Sequence, residues 1–469
     1  MDPRLATDLH DLPRLLRLAL AEAETFLATL ADRPVAVPLP AGVAPVTLPA
    51  AGLGAAQAMT RFRERHAALL SGSAGPRYLG FVTGGTTPAG LAADWLVSAY
   101  DQNVSSTEGS AAALVDAEAS GLLRQLFGLP DSFHGAFVSG ATMANFVGLA
   151  TARQWAGERV GRDVAEAGLY GAPIRILSAT PHASAIKALA MLGLGRQCCE
   201  GVAVLPGGRE AIDTAALATR LAESGERPTI VVGSAGTVNT GDYDDFQAVA
   251  DLCQRHGAWL HVDGAFGLFA ACVPALSPLV RGIERADSIA ADGHKWLNVP
   301  YDAGFVFTRH PEIERRVFRV SAPYLEGPVM PVPDPLNATP ENSSRFRALP
   351  TWMTLMAYGR DGYREVVERN CAFARALGEW ISASPDFELY APVRLNIVCF
   401  GLAARHLAGH EPVGAHRAVL DRLRDGGEVF LTPTTLFGRP GMRAAVSNWR
   451  TTLETDLPRV TAALARAFG

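Results

Sequence analysis

Apolar residues recur at helical spacing over about residues 5–30, with Leu12, Leu15, Leu16, Leu18 and Leu20 among them, and predict an amphipathic helix. A Pro-rich stretch, residues 33–49, ends it. A second helix is expected over about residues 55–71, leading into a Gly-rich segment at 78–90. This part is too small and open to fold alone, so its apolar face is expected to pack on another chain or domain. From about Asp116 the pattern turns to helices alternating with short apolar strands, at residues 135–138, 175–177, 202–205, 229–232, 259–262 and 304–307. Fully apolar strands separated by helices predict an α/β fold with a mostly parallel sheet covered on both faces. Ligands of such sheets bind at the carboxyl ends of the strands. After about Arg345 a long helix (352–377), strands near 387–389 and 396–400, a hairpin-like pair (429–434 and 442–446) and a closing helix (457–468) read as a smaller α+β domain. The expected division is 1–95, a helical dimerisation segment; 96–345, the large domain; and 346–469, the small domain.

Composition narrows the class. A chain of 469 residues exceeds one typical core, and 48% hydrophobic against 19% charged residues suits a compact enzyme rather than a disordered chain. A formal charge of -5 leaves no basic footprint for nucleic acid. The six cysteines form no C-x-x-C pair and no zinc-like spacing, so reduced thiols, no metal and a cytoplasmic location are expected. The N-terminus lacks the order of a signal peptide, and no apolar run is long enough to predict a membrane span.

Two stretches carry the most chemistry. Asp292-Gly293-His294-Lys295-Trp296-Leu297-Asn298 sets a lysine in an apolar, Gly-punctuated segment, and upstream His261-Val262-Asp263-Gly264-Ala265-Phe266-Gly267 sets an acid at the end of an apolar strand. A buried carboxylate at Asp263 needs a partner, which a protonated pyridinium, a structural ion pair or a helix cap would each supply. Lys295 reads as a surface lysine by default, but Trp296, Leu297 and the apolar residues 289–291 argue for burial, which favours the neutral amine needed for imine formation. Such a pair is what pyridoxal 5'-phosphate (PLP) requires: a lysine for the aldehyde and a carboxylate that keeps the ring nitrogen protonated. Ser139-Gly140-Ala141-Thr142-Met143-Ala144-Asn145 follows a strand and opens a helix, either as a plain start capped by Ser139 or as a phosphate site of free N–H groups and the Thr142 hydroxyl. His182, after the 175–177 strand, could lie flat on a cofactor ring or simply bond to backbone. The stretch from Gly236 to Gly241 follows another strand end and is otherwise a turn.

As an ordered series over roughly residues 78–450, these motifs resemble the pyridoxal-dependent decarboxylases of fold type I, group II, which include aromatic-amino-acid, glutamate, histidine and diaminobutyrate decarboxylases. The resemblance implies the PLP-dependent transferase fold type I, with an N-terminal helical segment and a small C-terminal domain. It implies that Lys295 is the Schiff-base lysine and that Asp263 pairs with the pyridinium. Ala141, Thr142 and His294 would hold the phosphate, His182 and Ala265 would cover the two ring faces, and Thr237 would line the cofactor near its ring hydroxyl. Phe81 and Thr83 match positions near the substrate. Tyr324, in Ser321-Ala322-Pro323-Tyr324-Leu325, matches the mobile-loop tyrosine that reprotonates the substrate carbon, delivered from a neighbouring subunit of a homodimer; members that form aldehydes tend to carry phenylalanine there. The chain departs from the family at Gly293, where proline is usual, at Gly264, where alanine is common, in the Pro-rich stretch 331–342, and at Pro350.

The expected reaction is decarboxylation of an L-amino acid to an amine and CO2, with His182 and Tyr324 assisting Lys295. The rivals are oxidative deamination to an aldehyde or transamination, and a non-catalytic relative kept for binding. Phe81 and Tyr78 favour an aromatic substrate, while Arg345 and Arg347 keep an acidic one open.

Overall fold

Seven short strands, β1 (His134–Val138), β2 (Arg175–Ser178), β3 (Cys199–Gly201), β4 (Thr229–Ser234), β5 (Trp259–Asp263), β6 (Ser288–Asp292) and β7 (Gly304–Thr308), form the central sheet of the computed structural model, which describes residues 1–40, 42, 44–105, 110–320 and 335–468. Every residue of β2, β4, β5, β6 and β7 is buried, as strands covered by helices on both faces must be. The order is β1-β7-β6-β5-β4-β2-β3, and all neighbours are parallel except β7, which runs antiparallel to β1 and β6.

That one reversed strand positions the site. Gly304, at its start, pairs with Val138 on one side and Asp292 on the other. A Cβ on Gly304 would lie 2.5 Å from the Cα of Gly140, so only glycine lets the start of the helix Ala141–Glu158 come down onto the strand ends.

A second, antiparallel sheet of β8 (Phe387–Leu389), β9 (Ile397–Leu402), β10 (Thr432–Leu436) and β11 (Arg439–Ala445), in the order β10-β11-β9-β8, packs its core of Phe373, Phe400, Val398 and Met442 against the helix Ala348–Ala383. That helix is broken at Gly359, whose φ of 58° and ψ of -166° are non-helical. The Gly-rich segment belongs to this core as well: Tyr78 bridges Phe430, Leu79 is buried with Phe373 and Phe400, and the Ala445 N–H donates to the Leu79 carbonyl at 2.9 Å.

Several elements depart from the sequence reading. The first helix is two, Pro3–His10 and Leu12–Thr29, parted at Asp11 just before Pro13. The second is shorter, Ala55–His66, with a 3-10 turn after it. The strand expected at 202–205 lies earlier, because β2 pairs Ile176 with Cys199, while residues 203–205 turn away to bond with 211 and 213. β6 was not among the expected strands, and the hairpin turn at Phe437–Gly438 falls within the gap expected between 434 and 442, with both strands reaching further into it. Among the described residues no helix is long and apolar enough to cross a membrane, and no group of three or more His, Cys, Asp or Glu could hold a metal ion.

Candidate active site

The strand ends deliver the polar residues to one place. A cavity of about 480 Å³ is lined by His182 after β2, Thr237 after β4, Asp263 and Ala265 at the end of β5, Lys295 after β6, Phe81 from the Gly-rich segment and Arg443 from β11. The Gly-rich segment reaches it by a tight course: Phe81 and Val82 both take positive φ, near 58° and 59°, and the Gly84 N–H donates to the His294 carbonyl at 3.3 Å. A Cβ on Gly84 would stand 1.7 Å from the Lys295 carbonyl oxygen, so the two segments touch backbone to backbone.

Asp263 is held by neutral donors. The Asn145 side-chain amide donates to it at 3.0 Å and the Ala265 N–H at 3.2 Å. Asn145, 0% exposed, also donates to the Ser184 hydroxyl at 3.1 Å and accepts from His261 Nε2 at 2.8 Å. Burial drives the His261 pKa down to about 4, so the ring is neutral; with its proton on Nε2, Nδ1 accepts from the Ser288 hydroxyl, which in turn takes the Trp259 indole N–H at 3.0 Å. The donors of this network thus run toward Asp263 without carrying a positive charge, and the carboxylate faces the cavity with no ion-pair partner among the described residues. A protonated ring nitrogen fits that position.

His182 is set by the same chain. Its Nδ1 accepts the Ser184 backbone N–H at 3.2 Å and lies 2.7 Å from the Ser184 hydroxyl, so the proton resides on Nε2. Solvent in the cavity reaches the ring, yet the protein packed around it lowers the pKa, with burial outweighing the opposing pull of Asp263.

The lysine segment folds around Asp292. His294 Nδ1 accepts the Ala303 N–H at 3.2 Å, leaving the proton on Nε2, which lies 3.2 Å from Asp292 Oδ1. Lys295 Nζ lies 3.4 Å from Asp292 Oδ2 and 5.9 Å from the centre of the Phe266 ring. The Ala141 N–H, first of the free amides of its helix, donates to Asp292 Oδ1 at 3.1 Å. The acceptor at the Ala141 helix start and beside His294, where a phosphate was expected, is thus a carboxylate of the chain itself. Tyr301 stacks on the His294 ring with centroids 4.2 Å apart. Gly293 also has a local reason: its N–H donates to the Ala303 carbonyl at 2.9 Å, a bond that proline lacks.

Two buried residues of the cavity wall escaped the sequence reading. Glu210 accepts the hydroxyls of Thr237 and Thr240 at 2.6 and 2.8 Å and the Asn239 amide at 3.2 Å. Thr237 also accepts the Asp242 N–H at 3.0 Å, so its hydroxyl lines the cavity with its bonds already committed. Arg443 is 7% exposed; it donates to the Val238 carbonyl at 2.8 Å, its Nε has no partner among the described residues, and burial depresses its pKa. The signal for Arg443 was a lone arginine within the apolar run 442–446; Glu210 gave none, because its partners lie about thirty positions away.

The other expected residues divide. Phe81 stands at the wall, 59% exposed, while Thr83 is buried close to it in sequence and does not line the cavity. Thr142 follows Ala141 in the first turn of its helix. Tyr324 lies outside the described residues. Arg345 and Arg347 are tied to Asp94 and Asp302 at 2.6 and 2.9 Å and do not line the cavity, so neither waits there for an acidic substrate.

Comparisons with known proteins agree with this geometry. The aromatic-L-amino-acid decarboxylase of Bacillus atrophaeus is 31% identical over 393 residues, covering 81% of this chain and 79% of that protein. Tryptophan decarboxylase 1 of Oryza sativa subsp. japonica is 28% identical over 80% of this chain and 77% of its own, and the L-2,4-diaminobutyrate decarboxylase of Rhizobium meliloti is 31% identical over 77% and 72%. In fold, the chain superposes on a crystal structure of Oryza sativa TDC with PLP and tryptamine at a TM-score of 0.89, with 24% identity over 98% of this chain and 97% of that one. Residues 46–403 match the model of the pyridoxal-dependent decarboxylase conserved domain, and the chain belongs to the pyridoxal-dependent decarboxylase family.

Proposed function

We propose that this PLP-dependent decarboxylase acts on an L-amino acid with an aromatic side chain and releases the amine and CO2. The observation that carries the reading is the convergence of Lys295, Asp263, His182 and Arg443 on one cavity whose outer wall is Phe81. Bound there, PLP supplies an aldehyde for the substrate nitrogen and a ring that accepts the electron pair of the Cα–carboxylate bond. The chain's own residues do the rest. Asp263, oriented by Asn145, holds a proton on the ring nitrogen, and His182 presents its Nε2–H to the cavity. Arg443 would draw the substrate carboxylate in, and Lys295 would hold the cofactor through its amine. Ala141, Thr142 and His294 would hold the phosphate, and Ala265 and His182 would cover the cofactor ring.

The aromatic preference rests on Phe81, whose ring meets Phe430 with centroids 5.9 Å apart, while Tyr78 stacks on Phe430 at 4.4 Å; the Bacillus and rice relatives are named for aromatic substrates. Glu210 favours a second reading, a substrate with a side-chain ammonium, as the name of the Rhizobium relative states for that protein. Three donors already share its charge, which weakens that case.

Tyr324 is proposed to return the proton to Cα from a neighbouring subunit, and the enzyme to work as a cytoplasmic homodimer. Leu5, Leu9, Leu12 and Leu16 of the two N-terminal helices are between 46% and 63% exposed, and only Leu15 of Leu12–Thr29 is buried, so the apolar face of this pair is uncovered in one chain. The division into segments 1–95, 96–345 and 346–469 is proposed on the same terms.

The test is a panel of aromatic amino acids, glutamate and 2,4-diaminobutyrate given to the PLP-loaded protein. CO2 and amine in equal amounts from an aromatic substrate are expected. Aldehyde with hydrogen peroxide, a keto acid, or no CO2 from any aromatic amino acid would refute the reading.

A further inference from the structure

Asp292 ends β6 beside the first N–H of the Ala141 helix, with its side chain 4% exposed. Its two oxygens gather the Ala141 N–H, His294 Nε2 and Lys295 Nζ at 3.1, 3.2 and 3.4 Å. The donors proposed to hold the phosphate are therefore already shared by a carboxylate of the chain itself. A phosphate dianion entering the same cradle meets a buried like charge, and two such anions cannot both stay fully ionised.

The groups facing Asp292 do not supply a second compensating charge. His294 is kept from protonation chiefly by burial, against the pull of Asp292. His182, across the cavity, is lowered for the same reason, and burial raises the phenol of Tyr301 above its ordinary value. Asp302 adds a further negative charge felt by His294. Among the described residues, Lys295 is the one lysine or arginine within ion-pair distance of Asp292.

We propose that Asp292 is an occupant built into the phosphate cradle, and that the cofactor's phosphate enters with one proton shared between the two anions, so that cofactor capture is coupled to proton uptake. The inference rests on the reading that Ala141, Thr142 and His294 hold the phosphate. The one bond made is an O–H: a solvent or buffer acid gives up a proton, and the dianion and the carboxylate become a pair joined by a short O–H···O hydrogen bond. Because phosphate monoesters lose their second proton near about pH 6, the uptake comes from solvent at higher pH.

The test uses the full chain freed of cofactor, titrated calorimetrically with pyridoxamine 5'-phosphate in buffers of differing ionisation heat, with pyridoxamine as the phosphate-free probe. This probe leaves the Lys295 amine free, so the reading does not depend on the aldehyde. The wild-type protein is expected to take up close to one proton above about pH 7, its affinity falling about tenfold per pH unit there. Asp292→Asn keeps the size and an acceptor for the Ala141 N–H; it should bind the phosphate form more tightly above about pH 7, with that slope flattened, and bind pyridoxamine unchanged. Asp292→Ser serves as a second variant without the carboxylate. Equal proton counts and equal slopes in wild type and both variants would overturn the proposal while leaving the cradle standing. A substitution that shifts pyridoxamine as much as its phosphate would overturn the cradle reading as well.

Discussion

Replacing Asn145 by aspartate changes one NH2 group to an oxygen at the centre of the site. In the wild-type protein that NH2 lies 3.0 Å from Asp263 Oδ2, so Asn145→Asp sets two carboxyl groups at hydrogen-bond distance. At an effective dielectric of about 20, two unit charges that close repel by about 5 kcal/mol, or about four units on the pH scale. The added acid should hold its proton in the folded state to about pH 8, far above the value of about 4 in the unfolded chain. A carboxyl group whose folded pKa is raised costs nothing below its unfolded pKa, and its cost grows with pH until the folded pKa is passed. The variant should therefore match the wild type near about pH 4, lose about 1.4 kcal/mol per pH unit above it, and level off near about pH 8. Urea unfolding of cofactor-free wild type and variant, followed by tryptophan fluorescence at a series of pH values, reads this directly. A stability difference that stays flat between about pH 5 and about pH 8 would show that the amide does not face Asp263, and with it the orientation assigned to the whole chain from Trp259 to His182 would fall.

Three further predictions follow from single contacts. Gly293→Pro removes the N–H that reaches the Ala303 carbonyl, but the His294 N–H keeps that carbonyl satisfied at 3.1 Å, so a loss of about 1 kcal/mol in thermal unfolding with cofactor affinity retained is expected; loss of PLP binding would contradict it. Gly84→Ala drives a methyl into the Lys295 carbonyl and should weaken PLP binding by about tenfold or more, read by equilibrium dialysis, with the far-ultraviolet circular dichroism preserved. Tyr324→Phe should shift the product from amine toward aldehyde and hydrogen peroxide, so an unchanged amine yield would remove Tyr324 from its proposed role.

Asp263 was legible because it closes a short apolar strand, and His182 and Lys295 because each follows a short apolar run within a few residues, where a polar side chain announces itself along the chain. The parallel sheet was legible for the same reason. Asn145 stood within a motif read for phosphate, yet its partners His261 and Asp263 lie more than a hundred positions away, so only the fold shows that it serves the ring nitrogen instead. Arg443 reaches the cavity from the other sheet, and Glu210 from a loop with no periodicity. The boundaries that slipped have local causes too: Cys199 rather than Val202 leads β3 because register with β2 outweighs the hydrophobicity of 202–205. Arg345 and Arg347 drew notice as charges, but pairing with Asp94 and Asp302 decides what they can do.

The wall built on Glu210 has a practical bearing on redesign. Thr237, Thr240 and Asn239 are locked to that carboxylate, Asn239 accepts from Thr434 at 2.6 Å, and Arg443 clasps the Val238 carbonyl, so the two sheets are laced together across the pocket. Exchanging any one of these residues leaves its partners unpaired in the pocket wall, at a cost of about 1–3 kcal/mol for each buried group left without a bond. Phe81 is exempt, since it enters the cavity with no side-chain hydrogen bond to break. Selectivity for new substrates is best sought by varying Phe81 alone and the laced residues only as a set.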